Sequence, residues 1–198
     1  MMSSQAVAEL HVVPQKVTIN GECYRQNILE KERIRVINRR GKTGTILQSA
    51  LVPDPKKAIF MQDGAPPHTA KKTQDWCRDN LPSFWAKDVW PGNSPDLNPI
   101  ENLWAILQEK VNEFPGATNI DRLTRQLRKA WAEISPAVLH NLVPSMPERM
   151  RQCNANKGGY VNKSNFHVHP VFSFVADINS VFVQFLSTLY MPHVYCPS

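Results

Sequence analysis

The sequence contains no C-x-x-C pair, no G-x-x-x-x-G-K-[ST] word, no internal repeat and no low-complexity tract. Each absence closes a class of function. The four cysteines, Cys23, Cys77, Cys153 and Cys196, stand singly and far apart, so neither a zinc clip nor a redox motif is indicated. No secretory leader is read at the N-terminus, and reduced thiols in a cytosolic or nuclear protein are therefore expected. The basic loop Arg39-Arg40-Gly41-Lys42-Thr43-Gly44 lacks the spacing of a phosphate-cradling loop and reads as solvated. His167 and His169, with His193 remote, have no second pair of ligands beside them and are not read as a metal clip. One long apolar stretch is present, residues 171–190, but Asp177 and Asn179 interrupt it. A central Asp costs roughly 2.5–3.5 kcal/mol on insertion scales, so no membrane span is expected.

What remains is a chain of 198 residues, 42% apolar, with a net charge of +6. That length holds one domain with a real core and hardly two. The charge suits a polyanionic partner such as nucleic acid without requiring one. Sixteen prolines gather where turns are needed.

In chain order, residues 1–7 read as a disordered start. Leu10–Val13 and Lys16–Ile19 are short β-prone runs around Pro14, which suggests a hairpin or paired edge strands. Tyr24, Ile28, Leu29 and Ile34 lie near helical spacing and predict a helix from about Cys23 to Val36. Ile59-Phe60-Met61 reads as a buried strand that ends on Asp63. A turn, Gly64-Ala65-Pro66-Pro67, leads to a helix over about 67–79, since proline is tolerated in a first helical turn. Phe84–Trp90 reads as another strand. Asn98 can cap a helix with Pro99 at its first position, running to about Glu113 with Leu103, Trp104, Leu107 and Val111 on one stripe. A helix over 119–134 carries Ile120, Leu123, Leu127, Trp131 and Ile134 on one face and Arg122, Arg125, Arg128 and Lys129 on the other. Short helices from Pro136 and Pro147 follow, up to Gly158-Gly159. Trp104 and Trp131 sit on apolar stripes and read as core residues.

The informative stretch is Ile59–Trp104: IFMQDGAPPHTAKKTQDWCRDN and then VWPGNSPDLNPIENLW. One acid at a strand's carboxyl end and another in the first turn of a helix can be aimed at a common point, and open α/β sheets place their sites at strand ends. The stretch closely resembles the catalytic domain of mariner-superfamily (Tc-type) transposases, DDE nucleases with an RNase H-like fold. Similarity runs from about Leu10 to Tyr160 and includes LVPSMPERMRQC and the Lys157-Gly158-Gly159 ending. Matched residue by residue, Asp63 corresponds to the family's second catalytic acid and Glu101 to the third, and His68 occupies the family's histidine beside the site.

The resemblance implies an α/β fold, an RNase H-like domain over 1–160 whose leading strands are missing, followed by an unrelated tail over 161–198. It implies DNA transposition chemistry, with DNA as partner, a nuclear location and Mg²⁺ or Mn²⁺ held by Asp63 and Glu101, and it allows a homodimer. Phosphodiester transfer suits two metal ions roughly 3.5–4 Å apart, and hard cations take carboxylate oxygens. The family's first Asp lies upstream of the segment resembling LHVVPQKVTING, as does its helix-turn-helix region. The chain is thus expected to be the C-terminal part of such a domain and catalytically inactive for want of that acid. The alternative is a non-catalytic remnant that acts as a DNA- or protein-interaction module.

Plainer readings stand beside these. Asp63 before Gly64 fits an ordinary Asp turn. Asn98 and Glu101 have the spacing of a capping box. Asp96, in Ser-Pro-Asp-Leu-Asn-Pro, reads as a turn residue rather than a rival catalytic acid, and His68 as either site-lining or structural. Arg122, Arg125, Arg128 and Lys129 could neutralise phosphates or merely face water.

Overall fold

The computed structural model describes residues 1–13, 17–30, 35–37, 43–45, 58–92, 94–161 and 188–192. Residues 39–42 of the basic loop, His167, His169, His193, Cys196 and the apolar run up to residue 187 lie outside them. Two compact units are formed. The first comprises Met1–Glu9, Thr18–Ser94 and Leu186–Ser198, the second Leu10–Val17 and Pro95–Phe185.

In the first unit the chain is built around a strand whose side chains do not alternate in polarity. Along Ala58–Gln62, here β3, all five residues are buried, as a run with apolar residues on both faces demands. Upstream lie α1 (Gly21–Tyr24), a wider π-helical turn over Arg25–Leu29, and the strands β1 (Arg35–Ile37) and β2 (Thr43–Thr45), which pair antiparallel with each other. Downstream, α2 (Pro66–Thr69) and α3 (Lys71–Asn80) follow β3. A strand near the end of the chain, β4 (Thr188–Pro192), pairs antiparallel with β3, Phe60 opposite Tyr190. Phe60 also forms a single parallel bridge to Phe84: its N–H donates to the Ser83 carbonyl at 3.1 Å, and the Trp85 N–H donates to its carbonyl at 2.9 Å.

Local expectations fail here where a partner or a turn overrides propensity. The helix expected to reach Val36 stops at Leu29. Val36 and Ile37, β-branched residues that favour a pleated strand, lie in β1 instead. Thr43 and Gly44, expected in a loop, belong to β2. Phe84–Trp90 is not a strand. Beyond the bridge at Phe84 the chain turns at Lys87–Val89, where Asp88 adopts a φ of 70°, and Trp85 stacks on Trp90 at 5.9 Å. The helix expected over 67–79 is broken at Ala70, whose ψ of 133° is extended. The Thr69 hydroxyl donates back to the carbonyl of Ala65 at 3.3 Å, a side-chain bond that competes with the helical ladder. The expected disordered start is instead a turn closed by an antiparallel bridge between Met2 and Val7, with Met2 buried. Residues 10–13 and 17–19 form no strand.

Polar side chains tie the elements of the first unit together. The Gln62 amide nitrogen donates to the Tyr24 hydroxyl, and its carbonyl oxygen accepts from the Cys77 thiol at 3.8 Å. Arg25 Nη1 donates to Thr73 Oγ1 at 3.2 Å. At Gly21 a Cβ would come within 2.9 Å of the Ala70 Cβ, so α1 approaches this closely only because position 21 has no side chain.

The second unit is helical: α4 (Pro99–Asn112), α5 (Ile120–Ala132), α6 (Pro136–Leu142), a 3₁₀ turn over Val143–Ser145, and α7 (Met146–Ala155). The helices α4, α5 and α6 begin where the sequence provides side-chain acceptors. Asn98 Oδ1 accepts from the Ile100 N–H at 3.3 Å, Asn119 Oδ1 from Arg122 at 2.8 Å and Ser135 Oγ from Ala137 at 3.2 Å. α4 packs on α5 and α6. It buries Ile100, Leu103, Leu107 and Val111, while α5 buries Leu123, Leu127, Ala130 and Trp131. Trp104 and Trp131 stack at 5.3 Å, Trp131 buried in the core as expected and Trp104 half-buried beside it. Ile120, expected on the apolar face, is exposed at the first turn of α5. α7 ends where Lys157 and Gly158 take positive φ, and the Gly158 N–H donates to the Cys153 carbonyl at 2.9 Å.

The described residues thus mix helices with two antiparallel strand pairs, β1–β2 and β3–β4. A central mixed sheet is not found among them. No described helix is long and apolar enough to cross a membrane.

Cys77 offers a direct check of the first unit. It is fully buried, and loss of solvation pushes its thiol up to about 12 despite the neighbouring Arg78. The thiolate is the reactive form. Iodoacetamide at pH 8 is therefore expected to label the half-buried Cys23 and Cys153 and to spare Cys77 until denaturant is added, as peptide mass mapping would show. The folded value lies above the ordinary 9.0. The stability held by the neutral thiol is therefore full below about pH 9 and is lost as the pH rises toward 12.

Candidate active site

Asp63 follows directly on the buried β3, so its backbone is fixed on one side by the strand. On the other, its Oδ1 accepts from the Ala65 N–H at 3.0 Å, the turn bond expected of Asp before Gly64. The same oxygen lies 2.6 Å from His68 Nδ1, with the Asp63 side chain 32% exposed and that of His68 fully buried. A carboxylate only accepts, so His68 carries its proton on Nδ1. The ring is held by the Tyr24 ring at 4.6 Å, and the His68 carbonyl accepts from Gln74 Nε2 at 2.9 Å. Gln74 in turn accepts from the Lys87 N–H at 2.8 Å. The turn bond and the imidazole together set the carboxylate's direction while leaving the side chain in reach of solvent. Asp63 thus makes the turn that its plainer reading proposed and also stands where an ion can reach it.

Glu101 is the third residue of α4 and half-buried. Its N–H donates to the Asn98 carbonyl at 3.1 Å. Helix geometry therefore ties it to the turn Pro95–Asn98, and that turn is firmly anchored. Asp96 Oδ2 accepts from the Val161 N–H at 2.7 Å, and the Asp96 carbonyl accepts from Arg149 Nη1 at 2.7 Å. Asp96 is buried and bonded to backbone, in keeping with the turn role read from the sequence.

Arg149 escaped sequence reasoning. It is fully buried on α7, with Nε donating to Ser145 Oγ at 2.9 Å. Burial lowers its guanidinium to about 10, and Asp96 opposes that shift. A faint signal existed: Arg149 lies three residues after the buried Met146, on the inward stripe of its helix.

On α5, Arg125, Arg128 and Lys129 are exposed and Arg122 is half-buried. Lys129 Nζ lies 5.2 Å over the Phe114 ring, so part of its charge is engaged by the aromatic face.

The structure brings Asp63 and His68 together in the first unit. Glu101 and the basic residues of α5 belong to the second. Among the described residues no group of three or more His, Cys, Asp or Glu gathers as a metal centre. The donor chemistry nevertheless fits a hard divalent ion. Asp63 is a partly exposed carboxylate held by a histidine, and Glu101 is a half-buried carboxylate in a first helical turn.

Residues 35–124, which include Asp63, His68, Glu101 and Arg122, match the DDE superfamily endonuclease family. The chain is 38% identical over 109 residues to the transposable element Tc1 transposase of Caenorhabditis elegans, covering 53% of this chain and 37% of that protein. It is 35% identical over 100 residues to the Tcb1 transposase of Caenorhabditis briggsae, covering 50% and 35%. To the Tc3 transposase of C. elegans it is 36% identical over 107 residues, covering 52% and 31%. The chain thus spans about a third of the length of these relatives. The strand end at Asp63 and the helix start at Glu101 lie in the stretch that is similar to the DDE-endonuclease region of Tc1/mariner-type transposases.

Proposed function

We propose that the chain is the acid-bearing part of a nuclear DNA-transposing endonuclease of RNase H-like fold, with Asp63 and Glu101 as ligands of Mg²⁺ or Mn²⁺. The observation that carries this is the fixed Asp63 carboxylate: a strand-end acid, 2.6 Å from a buried imidazole and still partly exposed. A divalent ion at such carboxylates supplies positive charge to phosphate oxygens during strand cleavage. The residues of the chain hold and orient. His68 sets the direction of Asp63, and α4 presents Glu101 at its first turn. The test uses Fe²⁺ with ascorbate and peroxide as a probe of bound metal. Radicals made at bound metal are expected to cut the polypeptide near residue 63 and near residue 101, with Asp63→Asn suppressing the first cut and Glu101→Gln the second. Cuts indifferent to the substitution beside them would refute the metal reading of that carboxylate.

A second reading is a DNA-binding module without catalysis, supported by the exposed Arg125, Arg128 and Lys129 of α5. Both readings use the α5 face. If its four cations neutralise phosphates, log K should fall against log salt with a slope of about −3 to −4, with Lys129 contributing least. Arg125→Gln with Arg128→Gln should flatten the slope by about 2, and scrambled and transposon-end duplexes should bind alike. Fluorescence anisotropy across a salt series reads both. A salt-independent affinity would remove the α5 face from the interface.

A further inference from the structure

In the second unit the guanidinium of Arg149 fastens the turn from which α4 springs. Its Nη1 donates to the Asp96 carbonyl at 2.7 Å and its Nε to Ser145 Oγ at 2.9 Å, while the Ser145 hydroxyl donates to the Leu142 carbonyl at 2.6 Å. The same turn is held from a second direction, where Asp96 Oδ2 accepts from the Val161 N–H at 2.7 Å. Asp96, Leu97, Asn98 and Ile100 are all buried. One helical turn beyond this anchored point stands Glu101, bonded through its own N–H to the Asn98 carbonyl.

Arginine is an unusual choice for such a position. Burying a guanidinium carries a desolvation cost of several kcal/mol, and a well-packed apolar residue of similar volume often serves stability as well or better. What an apolar residue cannot do is hold a carbonyl on a neighbouring segment at a fixed distance and angle. A planar fork with donors on Nε and Nη1 fixes the turn relative to α7. Helical rise puts Glu101 only about 4.5 Å along the axis from Asn98, so a shift of the turn is passed on to the carboxylate almost undiminished. A displacement of about 1 Å at a reacting centre costs on the order of a hundredfold.

We infer that Arg149 is a positioning residue for Glu101, acting through the Asp96–Asn98 turn. This rests on the reading of Glu101 as a metal ligand, and the test separates the two. Arg149→Met keeps the volume and removes the fork. Ser145→Ala removes the acceptor of the Nε proton together with the hydroxyl bond to the Leu142 carbonyl, and leaves the Nη1 bond to Asp96 in place. In each, the 198-residue chain is examined by urea unfolding, by amide hydrogen exchange at Ile100, Glu101 and Leu107, and by titration with Mn²⁺. In Arg149→Met, exchange at Ile100 and Glu101 should rise at least about tenfold relative to Leu107, because local opening at a freed helix start is decoupled from the helix centre. Mn²⁺ affinity should fall about tenfold, the usual loss when the support of a ligand is removed, with the unfolding midpoint little changed. Ser145→Ala should move both in the same direction by less, and it decides the matter if Arg149→Met does not fold.

Unchanged exchange at Ile100 and Glu101 would overturn the inference. So would raised exchange with unaltered Mn²⁺ affinity in a protein whose affinity does drop in Glu101→Gln. If Glu101→Gln itself leaves Mn²⁺ binding intact, the metal reading of Glu101 fails. The exchange data then report only that Arg149 anchors the turn, and the positioning role falls with its ligand.

Discussion

Mg²⁺- or Mn²⁺-dependent nicking of duplex DNA falls by more than about a hundredfold in Asp63→Asn and in Glu101→Gln when these 198 residues are joined in one polypeptide to the family's upstream strand-end Asp. The size of the loss follows from the chemistry of the ligand set. Two carboxylates can recruit a divalent ion, but charge at both the attacking and the leaving oxygen requires a ligand set that fixes its position to better than about 1 Å. His68 gives the graded control. His68→Asn can keep a donor near the place of Nδ1 and should retain most of the activity, while His68→Leu removes the 2.6 Å contact to Asp63 and should cost about 10–100-fold. Plasmid relaxation with all four variants in parallel measures this. If Glu101→Gln nicks DNA as fast as the parent, Glu101 is not a ligand of the catalytic ion.

The parts of this molecule legible in sequence are those in which the deciding interactions are close in the chain. Asn98 followed by Pro99, with Leu103, Leu107 and Val111 at helical spacing, announces α4 before any neighbour is known, and α4 runs over Pro99–Asn112. Leu123, Leu127 and Trp131 do the same for α5. The apolar run ending at Asp63 is a buried strand for the same reason. Legibility fails where a residue's state depends on a distant partner. Arg149 has the composition of a surface residue and is buried because the Asp96 carbonyl lies 53 positions away in sequence and within 2.7 Å in space. Val36 sits on a helical pattern, but pairing with Gly44 makes it extended. The aromatic stretch after Phe84 has strand propensity, yet its pairing with β3 is a single bridge centred on Phe84. At the site itself, the spacing of Asp63 and His68 was visible. That the two side chains touch was not, because the intervening Gly-Ala-Pro-Pro turn admits several geometries.

Leu127→Ala is expected to lower the stability of the helical unit by about 3–5 kcal/mol, the range for removing a fully buried leucine from a core that cannot collapse around the gap. Leu127 is completely buried on α5, on the same stripe as Leu123, Ala130 and Trp131. The stacking of Trp131 on Trp104 at 5.3 Å makes relaxation into the vacated volume costly, since neither ring can move without losing contact with the other. Ile120→Ala is the matched control. It lies on the same helix and was expected on the same face, yet it is 41% exposed and its truncation should change stability by less than about 1 kcal/mol. Urea unfolding followed by tryptophan fluorescence reports on both, because Trp104 and Trp131 lie in this unit. The loss should appear as a lower midpoint with an unchanged slope. Equal effects of the two substitutions would mean that α5 does not pack through the Leu127 stripe. The basic residues Arg122, Arg125, Arg128 and Lys129 would then lose their fixed outward face, and with it the basis for the predicted salt dependence of DNA binding.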